Sequence, residues 1–383
     1  MRQPAHGGNL AWAAALAGCP PDAILDFSAS ISPLGPPNSA IAAIKSQIGN
    51  LKHYPDPNYS ELRLALSHFH QLPSEWILPG NGSAELLTLI GRELAQLAAT
   101  ILITPAFGDY YRTLAAYNAK VLECPLISSE RRVPSAELLV LLSTQHGLNP
   151  SFPLTARAKR PASANSTHCG LLLNNPHNPT GKLFSRESIL PYLEQFALVV
   201  VDEAFMDFVP PNEEQSLISV VQEYPNLVVL RSLTKFYSLP GLRLGYAIAH
   251  PDCLAKWQLW RDPWPVNTLA VAAAIAALQD TEFQQQTWEW LPPARNQLFQ
   301  GLNEIPGFQP QASAANFLLV ESQESTSQLQ QQLLKYHQIL IRDCLSFKEL
   351  GDRFFRVAVR EESDNQRLLT ALSSMLSEEW GVG

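Results

Sequence analysis

The chain has 383 residues, of which 46% are hydrophobic and 16% are charged, and its formal net charge is −8. This length suits one large core and a smaller one, so we expect a single catalytic unit in two lobes. An acidic chain without a strong cluster of basic residues argues against a nucleic-acid partner. No apolar run approaches the roughly 18 residues of a membrane span. The five cysteines lie far apart, without a Cys-x-x-Cys pair, which is typical of a reducing compartment. We therefore expect a cytoplasmic protein.

The first residues combine a polar, glycine-rich stretch with an apolar helix candidate at Leu10 to Ala17. The letters of Leu16 to Cys19 match a lipoprotein cleavage site. A short apolar run behind a single Arg makes a poor signal peptide, however, so we expect this segment in the mature fold. The prolines and the glycine of Asp26 to Pro37 predict an extended, turning path. Further along, Ser60 is the expected cap of a helix.

From Ile77 onward, short apolar runs typical of strands alternate with helical patterns. Such alternation indicates a mostly parallel sheet covered by helices on both faces. Sheets of this kind carry their chemistry at the carboxyl ends of the strands, which makes Asn174, Asp202 and Ser232 candidates. The predicted strands are Thr100 to Thr104, Lys120 to Cys124, Gly170 to Leu173, Ala197 to Val201 and Asn226 to Leu230.

The pattern predicts two domains, a large one at 37–264 and a small one formed by 1–36 with 265–383. Within the large domain, 144–168 has no periodicity and is rich in Pro, Ser, Ala and basic residues. Such a composition predicts a surface insertion. In the last part the helices lengthen and strands return, which indicates an α+β ending. Those strands are Asn316 to Glu321, Ile339 to Arg342 and Phe354 to Val359.

The stretch from Arg231 to Tyr246 carries the most distinctive chemistry. Lys235 follows a buried strand pattern, with the hydroxyls of Ser232 and Thr234 before it and Arg243 eight positions after it. A lone lysine is most often a solvated loop residue. A lysine at the mouth of a strand, beside groups that hold an anion, instead suits Schiff-base chemistry with a carbonyl.

Two further strand ends carry polar side chains. Asp202 ends an apolar run, where a carboxylate needs a positive partner or several donors. A protonated heterocyclic nitrogen would serve, and a capping Asp is an equally good alternative. The stretch from Asn174 to Gly181 contains two Asn-Pro steps. These steps favour an extended backbone before each proline and would aim an amide toward a phenolate oxygen.

An anion site is predicted at Gly80 to Ala84, where a glycine-rich turn opens an apolar helix that we expect to end near Leu97. The free N–H groups and the positive dipole end of a helix both favour an anion. Together with Ser232 and Arg243, the turn supplies three contributors to one phosphate. A phosphate beside a Schiff-base lysine and an aspartate for a ring nitrogen describes pyridoxal 5'-phosphate (PLP).

The order of these motifs resembles the fold-type I, aspartate-aminotransferase-like PLP enzymes over nearly the whole chain. Four stretches also resemble the L-threonine-O-3-phosphate decarboxylases of cobalamin biosynthesis, which are close to the histidinol-phosphate aminotransferases. The stretches are His6 to Asn9, Asp26 to Ala29, Asp202 to Phe205 and Ser232 to Tyr237. The resemblance implies an α/β fold with a mostly parallel central sheet in the large domain and a smaller α+β domain. It also implies PLP as cofactor, no metal, and a homodimer with shared active sites.

The resemblance assigns a role to each motif residue. Lys235 would carry the cofactor and move protons, Asp202 would meet the pyridine nitrogen, Asn178 would bind the ring hydroxyl oxygen, and Tyr110 would stack on the ring. The phosphate would be held by Gly82, Ser83, Ala84, Ser232 and Arg243, with Tyr54 reaching it from a neighbouring subunit. The phosphorylated amino-acid substrate would meet Arg356, Arg342, His6 and Ser30.

Two positions depart from the related enzymes. Ser30-Ile31-Ser32 stands where related decarboxylases have Asn-Ile-Asn, so a contact to the substrate phosphate is shorter or replaced by water. Phe205 stands where the transaminases usually carry Tyr, so a hydrogen bond to the ring oxygen is lost, which favours the decarboxylase branch.

The implied reaction is PLP-dependent decarboxylation of L-threonine O-3-phosphate to (R)-1-aminopropan-2-yl phosphate and CO2. Cofactor binding alone does not choose the reaction, because the placement of the substrate's two anions decides which Cα bond breaks. A histidinol-phosphate aminotransferase or a related PLP-dependent aminotransferase is the first alternative. A non-catalytic PLP-fold binding or regulatory protein is the second.

Overall fold

The computed structural model describes residues 7–126 and 169–379. The predicted insertion at 144–168 and His6 lie outside the described residues. Among the described residues, no helix is both long enough and apolar enough to cross a bilayer. The α-helices are α1 (Leu10–Ala17), α2 (Asn38–Gln47), α3 (Ser60–His70), α4 (Gly82–Leu94), α5 (Gly108–Ala116), α6 (Arg186–Gln195), α7 (Pro251–Gln258), α8 (Thr268–Gln279), α9 (Thr281–Glu304), α10 (Thr326–Gln332) and α11 (Glu362–Glu379).

The strands include every run predicted between Thr100 and Leu230, each within one or two residues of its expected bounds. The strands are β1 (Leu25–Asp26), β2 (Ile77–Asn81), β3 (Ala99–Thr104), β4 (Val121–Pro125), β5 (Cys169–Asn174), β6 (Leu198–Asp202), β7 (Leu227–Ser232), β8 (Leu244–Ala249), β9 (Phe308–Pro310), β10 (Phe317–Ser322), β11 (Ile339–Leu340), β12 (Arg342–Asp343) and β13 (Phe354–Ala358).

The central sheet has seven strands among the described residues, in the order β2-β8-β7-β6-β5-β3-β4. Strands β4, β3, β5, β6 and β7 run parallel, and β8 runs antiparallel to both of its neighbours. The prediction of a mostly parallel sheet is therefore confirmed. Asn174, Asp202 and Ser232 are the last residues of β5, β6 and β7, so the three predicted strand ends meet at one edge.

Both faces of the sheet are covered, which explains why its strands read as unbroken apolar runs. Val199 and Val201 point into one core cluster, whereas Val200 and Leu230 point into the other. The alternation of side chains along a strand separates these two sets. The side chains of Asp202 and Ser232 lie on the same face of the sheet as those of Val200 and Leu230.

A second sheet among the described residues has the order β12-β13-β10-β9 and is antiparallel. The N-terminal segment reaches this part of the chain, because β1 pairs in parallel with β11. In addition, the Ala358 N–H donates to the Phe27 carbonyl across 2.8 Å. The division into two domains at residues 37 and 265 stays a prediction.

Three local predictions were wrong. Ser60 does not cap α3, because Ser60 is the first helical residue and its N–H donates to the Asp56 carboxylate across 2.8 Å. The helix that begins at Gly82 ends at Leu94 rather than near Leu97. The strand expected at Ile339 to Arg342 is split into β11 and β12, which lie in different sheets. In each case the exact boundary of the element was mispredicted, because it depends on a long-range partner or on a single residue at the boundary.

Candidate active site

Lys235 lies just past the end of β7, at the end of a short chain of hydroxyl contacts. Its Nζ donates to Thr234 Oγ1 across 2.8 Å, and Thr234 Oγ1 lies 2.7 Å from Ser232 Oγ. Ser232 and Thr234 are buried. The two hydroxyls noted in the sequence therefore hold the amine at the carboxyl edge of the central sheet.

The surroundings of Lys235 favour a neutral amine. Burial lowers the pKa of Lys235 to about 8, with help from the positive charges of Arg243 and Arg356, while the Asp202 carboxylate opposes the shift. A lysine whose pKa lies near neutrality is a usable nucleophile and proton donor. The structure thus places four predicted site residues within electrostatic reach of one another.

Asp202 is held from two sides at the end of β6. The Tyr110 hydroxyl donates to its Oδ2 across 2.9 Å, and the Ala204 N–H donates to its Oδ1 across 3.0 Å. Burial raises the pKa of the Asp202 carboxyl, while these two hydrogen bonds oppose the shift. A buried carboxylate with two donors can take one more positively charged donor, such as a protonated ring nitrogen. The alternative that Asp202 only caps the next segment is supported by a single contact, the hydrogen bond from the Ala204 N–H.

The predicted anion cradle is assembled from three strands. Ser232 is paired with Gly245, and Gly245 is paired with Gly80 just before α4. Gly82 has φ of +71°, and a Cβ placed there would lie 2.6 Å from Arg243 Nη2. The Arg243 guanidinium therefore covers the first turn of α4, whose N–H groups receive no side-chain cap from Asn81. Helix N-terminus, guanidinium and serine hydroxyl together suit a phosphate.

The loop after β5 is fixed by Asn175 and presents Asn178. Asn175 donates to the Phe184 carbonyl and accepts from the Phe184 N–H, each across 2.9 Å. The loop turns, with the Gly181 N–H bonded to the His177 carbonyl, rather than staying extended as the Asn-Pro steps predicted. Asn178 is buried, and its Oδ1 accepts from Arg356 Nη1 across 2.6 Å.

Arg356 and Arg342 face each other directly on β13 and β12, as register partners in an antiparallel pair. Both are more than nine-tenths buried. Arg356 donates to Asn178 Oδ1 and to the Ser28 carbonyl, neither of which is a carboxylate. Its Nε has no hydrogen-bond partner among the described residues. Burial lowers the pKa of Arg356 to about 10, and Arg342 adds to this effect. Arg342 Nη2 donates to Ser346 Oγ across 2.7 Å, and Arg342 attracts the Asp343 carboxylate. Two buried guanidinium groups side by side favour a bound anion.

The N-terminal segment passes close to Lys235. The Ser32 N–H donates to the Lys235 carbonyl across 3.0 Å, and the Ser32 carbonyl accepts from Ser238 Oγ across 2.7 Å. Ser30 Oγ and Ser32 Oγ are buried and have no hydrogen-bond partner among the described residues. Buried hydroxyls without partners are costly, so they are candidates for contacts with a bound molecule.

The described residues show no contact between Tyr54 and this edge of the sheet. Tyr54 is 79% exposed and packs against Trp264, with ring centroids 4.6 Å apart. His6 lies outside the described residues. Both roles stay predictions.

The residues present fit PLP. A cradle closed by Arg243 over Gly82 suits a phosphate, Asp202 suits a protonated pyridine nitrogen, and the Lys235 amine suits an aldehyde. The Tyr110 ring is buried beside Asp202, and Asn178 offers an amide nearby on the loop after β5.

Comparison with known proteins supports this fit. Residues 22–372 match the model of the family described as aminotransferase class I and II. The chain belongs to the aminotransferase class I and II family. It has the α/β fold of the fold-type I PLP enzymes.

Individual relatives cover almost the whole chain. The threonine-phosphate decarboxylase of Salmonella typhimurium strain LT2 is 36% identical, over 97% of each chain. The histidinol-phosphate aminotransferase of Symbiobacterium thermophilum is 32% identical, over 91% of this chain and 89% of its own. The crystal structure of histidinol-phosphate aminotransferase from Sinorhizobium meliloti in complex with pyridoxal-5'-phosphate aligns with a TM-score of 0.82 at 22% identity, covering 97% of this chain and 95% of that one.

Two contacts beside Lys235 are revealed only by the structure of this family member. Thr234, whose hydroxyl the sequence already indicated, bridges Ser232 and Lys235. The Ser32 N–H donates to the Lys235 carbonyl, and the sequence analysis gave Ser32 no such role. No local signal connects Ser32 with Lys235, because more than 200 residues separate them in the chain.

Proposed function

We propose that this protein is a PLP-dependent carboxy-lyase that converts L-threonine O-3-phosphate to (R)-1-aminopropan-2-yl phosphate and CO2 for the cobalamin side chain. The observation that carries the proposal is the pair of buried arginines, Arg342 and Arg356, that face each other on β12 and β13. Two guanidinium groups held side by side suit a substrate with two anionic groups. A phosphorylated amino acid has a phosphate and a carboxylate.

The names of relatives support this choice of substrate. The Salmonella relative named threonine-phosphate decarboxylase is 36% identical over nearly the full length. Phe205 also fits, because it brings an apolar ring, with no hydroxyl, to 6.0 Å from Lys235 Nζ. Without a hydroxyl, this position would make no hydrogen bond to the ring oxygen, which favours the decarboxylase over the aminotransferase.

The cofactor would be held by the residues already placed at the sheet edge. Bound PLP would supply an electron sink for the bond that breaks at Cα. Asp202 would keep the ring nitrogen protonated, and the Gly82 to Ala84 turn with Ser232 and Arg243 would bind the phosphate. Asn178 would donate to the ring oxygen, and Tyr110 would pack on the ring.

Lys235 would return a proton to Cα after CO2 leaves. A pKa of about 8 lies close to neutral pH, where a group can both give and take a proton. The contact with Thr234 Oγ1 would aim the amine when it is not attached to the cofactor.

The test is a comparison of two reactions on the purified protein with PLP. With L-threonine O-3-phosphate we expect release of CO2 and formation of an amino-alcohol phosphate, with no need for a 2-oxo acid. Release of no CO2, together with amino transfer from histidinol phosphate to a 2-oxo acid, would support the aminotransferase alternative and refute the decarboxylase. A protein without the visible absorbance of lysine-bound PLP would support the non-catalytic alternative.

We also propose the two-domain division predicted from the sequence. With boundaries at 37–264, the cofactor residues fall in the large domain, whereas Ser30, Arg342 and Arg356 fall in the small domain formed by 1–36 and 265–383. Substrate would then contact both domains and draw them together. A decrease in the radius of gyration on addition of substrate analogue would support this division, and an unchanged radius would contradict it.

We further propose a cytoplasmic homodimer in which Tyr54 reaches the cofactor phosphate of the partner. The exposed Tyr54 and Trp264 rings lie against one another at the surface, tilted by 31°, and no disulfide links the described cysteines. Co-expression of Tyr54→Ala and Lys235→Ala chains tests the sharing of sites. Each variant alone should be nearly inactive, while the mixed dimer should recover one intact site. No recovery in a purified mixed dimer would refute it.

A further inference from the structure

A buried ion pair lies directly behind the cofactor site, on the opposite face of the central sheet. Arg231 Nε donates to Glu203 Oε2 across 3.1 Å, and the two side chains are 2% and 0% exposed. Glu203 follows Asp202 in the chain, and Arg231 precedes Ser232. Because side chains alternate between the two faces of a strand, Asp202 and Ser232 face the site while Glu203 and Arg231 face away from it.

Further contacts tie this pair to the segment that follows β6. The remaining Arg231 nitrogens donate to Asp207 Oδ1 and to Glu214 Oε1, each across 2.5 Å. Glu203 Oε2 accepts from Ser216 Oγ across 2.6 Å, and Oε1 accepts from the Leu217 N–H across 2.8 Å. Arg231 therefore holds three carboxylates, two of them deeply buried.

The ion pair joins the ends of two neighbouring strands. Asp202 is the register partner of Leu230, and the Glu203 N–H donates to the Leu230 carbonyl across 2.8 Å. Glu203 and Arg231 thus lie side by side at the last rung of the β6–β7 ladder. Any shift of one strand end against the other would break the pair.

We propose that Glu203 and Arg231 are positioning residues for the cofactor, which set the distance between Asp202 and Ser232 from behind the sheet. Asp202 is assigned to the cofactor ring nitrogen and Ser232 to its phosphate, so their separation has to match the length of the cofactor. This inference rests on the PLP part of the proposed function alone. It holds for a decarboxylase or an aminotransferase.

An ion pair suits this role better than apolar packing does. Burial of charges is costly, and a well-packed apolar pair is often as stable. A guanidinium, however, fixes its partners in direction as well as in distance, because its N–H groups form a rigid planar fork. Apolar side chains at these two positions would keep the core filled but would allow the strand ends to slide.

The variants that test the proposal are Glu203→Gln and Arg231→Lys. Gln cannot accept all three hydrogen bonds that Glu203 receives, and Lys keeps the charge of Arg231 but cannot reach three carboxylates at once. We expect the dissociation constant of PLP from either variant to rise by about tenfold or more, in line with the effect of outer-shell residues on bound groups. The pH midpoint of the visible band of lysine-bound PLP should also shift, because the Asp202 carboxylate is displaced.

Two controls separate positioning from general stability. Glu214 is the outermost partner of Arg231, and the Glu214 side chain is 34% exposed. Glu214→Gln removes its charge and should change PLP affinity less than twofold. Asp352→Asn weakens the cap of α10, where Asp352 accepts from Ser325, Thr326 and Ser327, far from β6 in the chain. It should lower the melting temperature without changing PLP affinity.

The outcomes are distinct. Weaker PLP binding and a shifted midpoint in Glu203→Gln or Arg231→Lys, with native circular dichroism at the assay temperature, support the proposal. Unchanged affinity and an unchanged spectrum in the variants that fold, even with a lower melting temperature, overturn it. Should Glu203→Gln not fold, Arg231→Lys and Glu203→Asp carry the same test. A wild-type protein that binds PLP but releases no CO2 would refute the decarboxylase and leave this inference intact.

Discussion

The Tyr110 hydroxyl and the Asp202 carboxylate form a buried hydrogen bond of 2.9 Å between α5 and the end of β6. The sequence assigned Tyr110 only a stacking role, through the resemblance to a family. The structure adds a polar contact from the same side chain to the residue assigned to the cofactor nitrogen. This contact opposes the rise that burial causes in the pKa of Asp202.

Tyr110→Phe should keep the ring packing and remove this donor from Asp202. We expect the Asp202 pKa to rise further and PLP binding to weaken by about 1 kcal/mol, the usual net value of such a hydrogen bond. Tyr110→Leu, which removes the ring as well, should weaken PLP more strongly. Fluorescence titration with PLP measures both. Equal losses in the two variants would mean that the hydroxyl contributes nothing.

Attachment of PLP should depend on pH through Lys235. Burial lowers its pKa to about 8, and only the neutral amine attacks an aldehyde. The attachment rate should therefore rise about tenfold per pH unit below 8 and level off above it, whereas an ordinary lysine would show the rise up to about pH 10.4. Stopped-flow absorbance from pH 6.5 to 10 measures the rate. Lys235→Ala is the control and should show no band.

Replacement of either arginine should weaken substrate binding. Arg342→Gln should leave PLP binding unchanged, whereas Arg356→Gln also removes the donor to Asn178 Oδ1. We expect Arg356→Gln and Arg342→Gln each to reduce kcat/KM by about 10-fold to 100-fold, since a charge-assisted hydrogen bond contributes about 1.5–3 kcal/mol. The affinity of each variant for the product, which lacks the carboxylate, distinguishes the roles of the two arginines. The arginine that meets the carboxylate is the one whose loss leaves product affinity unchanged. If both variants bind substrate normally, the two-anion assignment is wrong.

Gly82→Ala should weaken PLP binding. The position has φ of +71°, and a Cβ there would lie 2.6 Å from Arg243 Nη2, so the guanidinium would be pushed away from the first turn of α4. Gly18→Ala is a matched control, because Gly18 has φ of +69° with nothing within 4 Å of a Cβ. Both should lose about 1 kcal/mol of stability from backbone strain. Only Gly82→Ala should change the dissociation constant of PLP, and an equal change in both would contradict the cradle.

Much of the cofactor site could be predicted because its residues sit at the ends of strands. An apolar, β-branched run such as Leu198 to Val201 can hardly be anything but a buried strand, and the polar residue after it must lie at the sheet edge. The parallel direction of β5, β6 and β7 then collects Asn174, Asp202 and Ser232 without further information. Local errors came at element boundaries, such as the cap assigned to Ser60: the helix already includes Ser60, and the Ser60 N–H donates to the Asp56 carboxylate.

By itself, the sequence determined which groups this protein has for its chemistry: a lysine after a strand, a carboxylate, a phosphate turn and two arginines near the C-terminus. Only the tertiary structure decided which of them meet. The register of β12 against β13 places Arg342 opposite Arg356, and the packing of α5 on the sheet brings Tyr110 to Asp202. The β6–β7 ladder likewise puts Glu203 beside Arg231. Strand and helix patterns depend on neighbours in the chain, whereas these contacts depend on register and layer packing between distant segments, for which local sequence carries no signal.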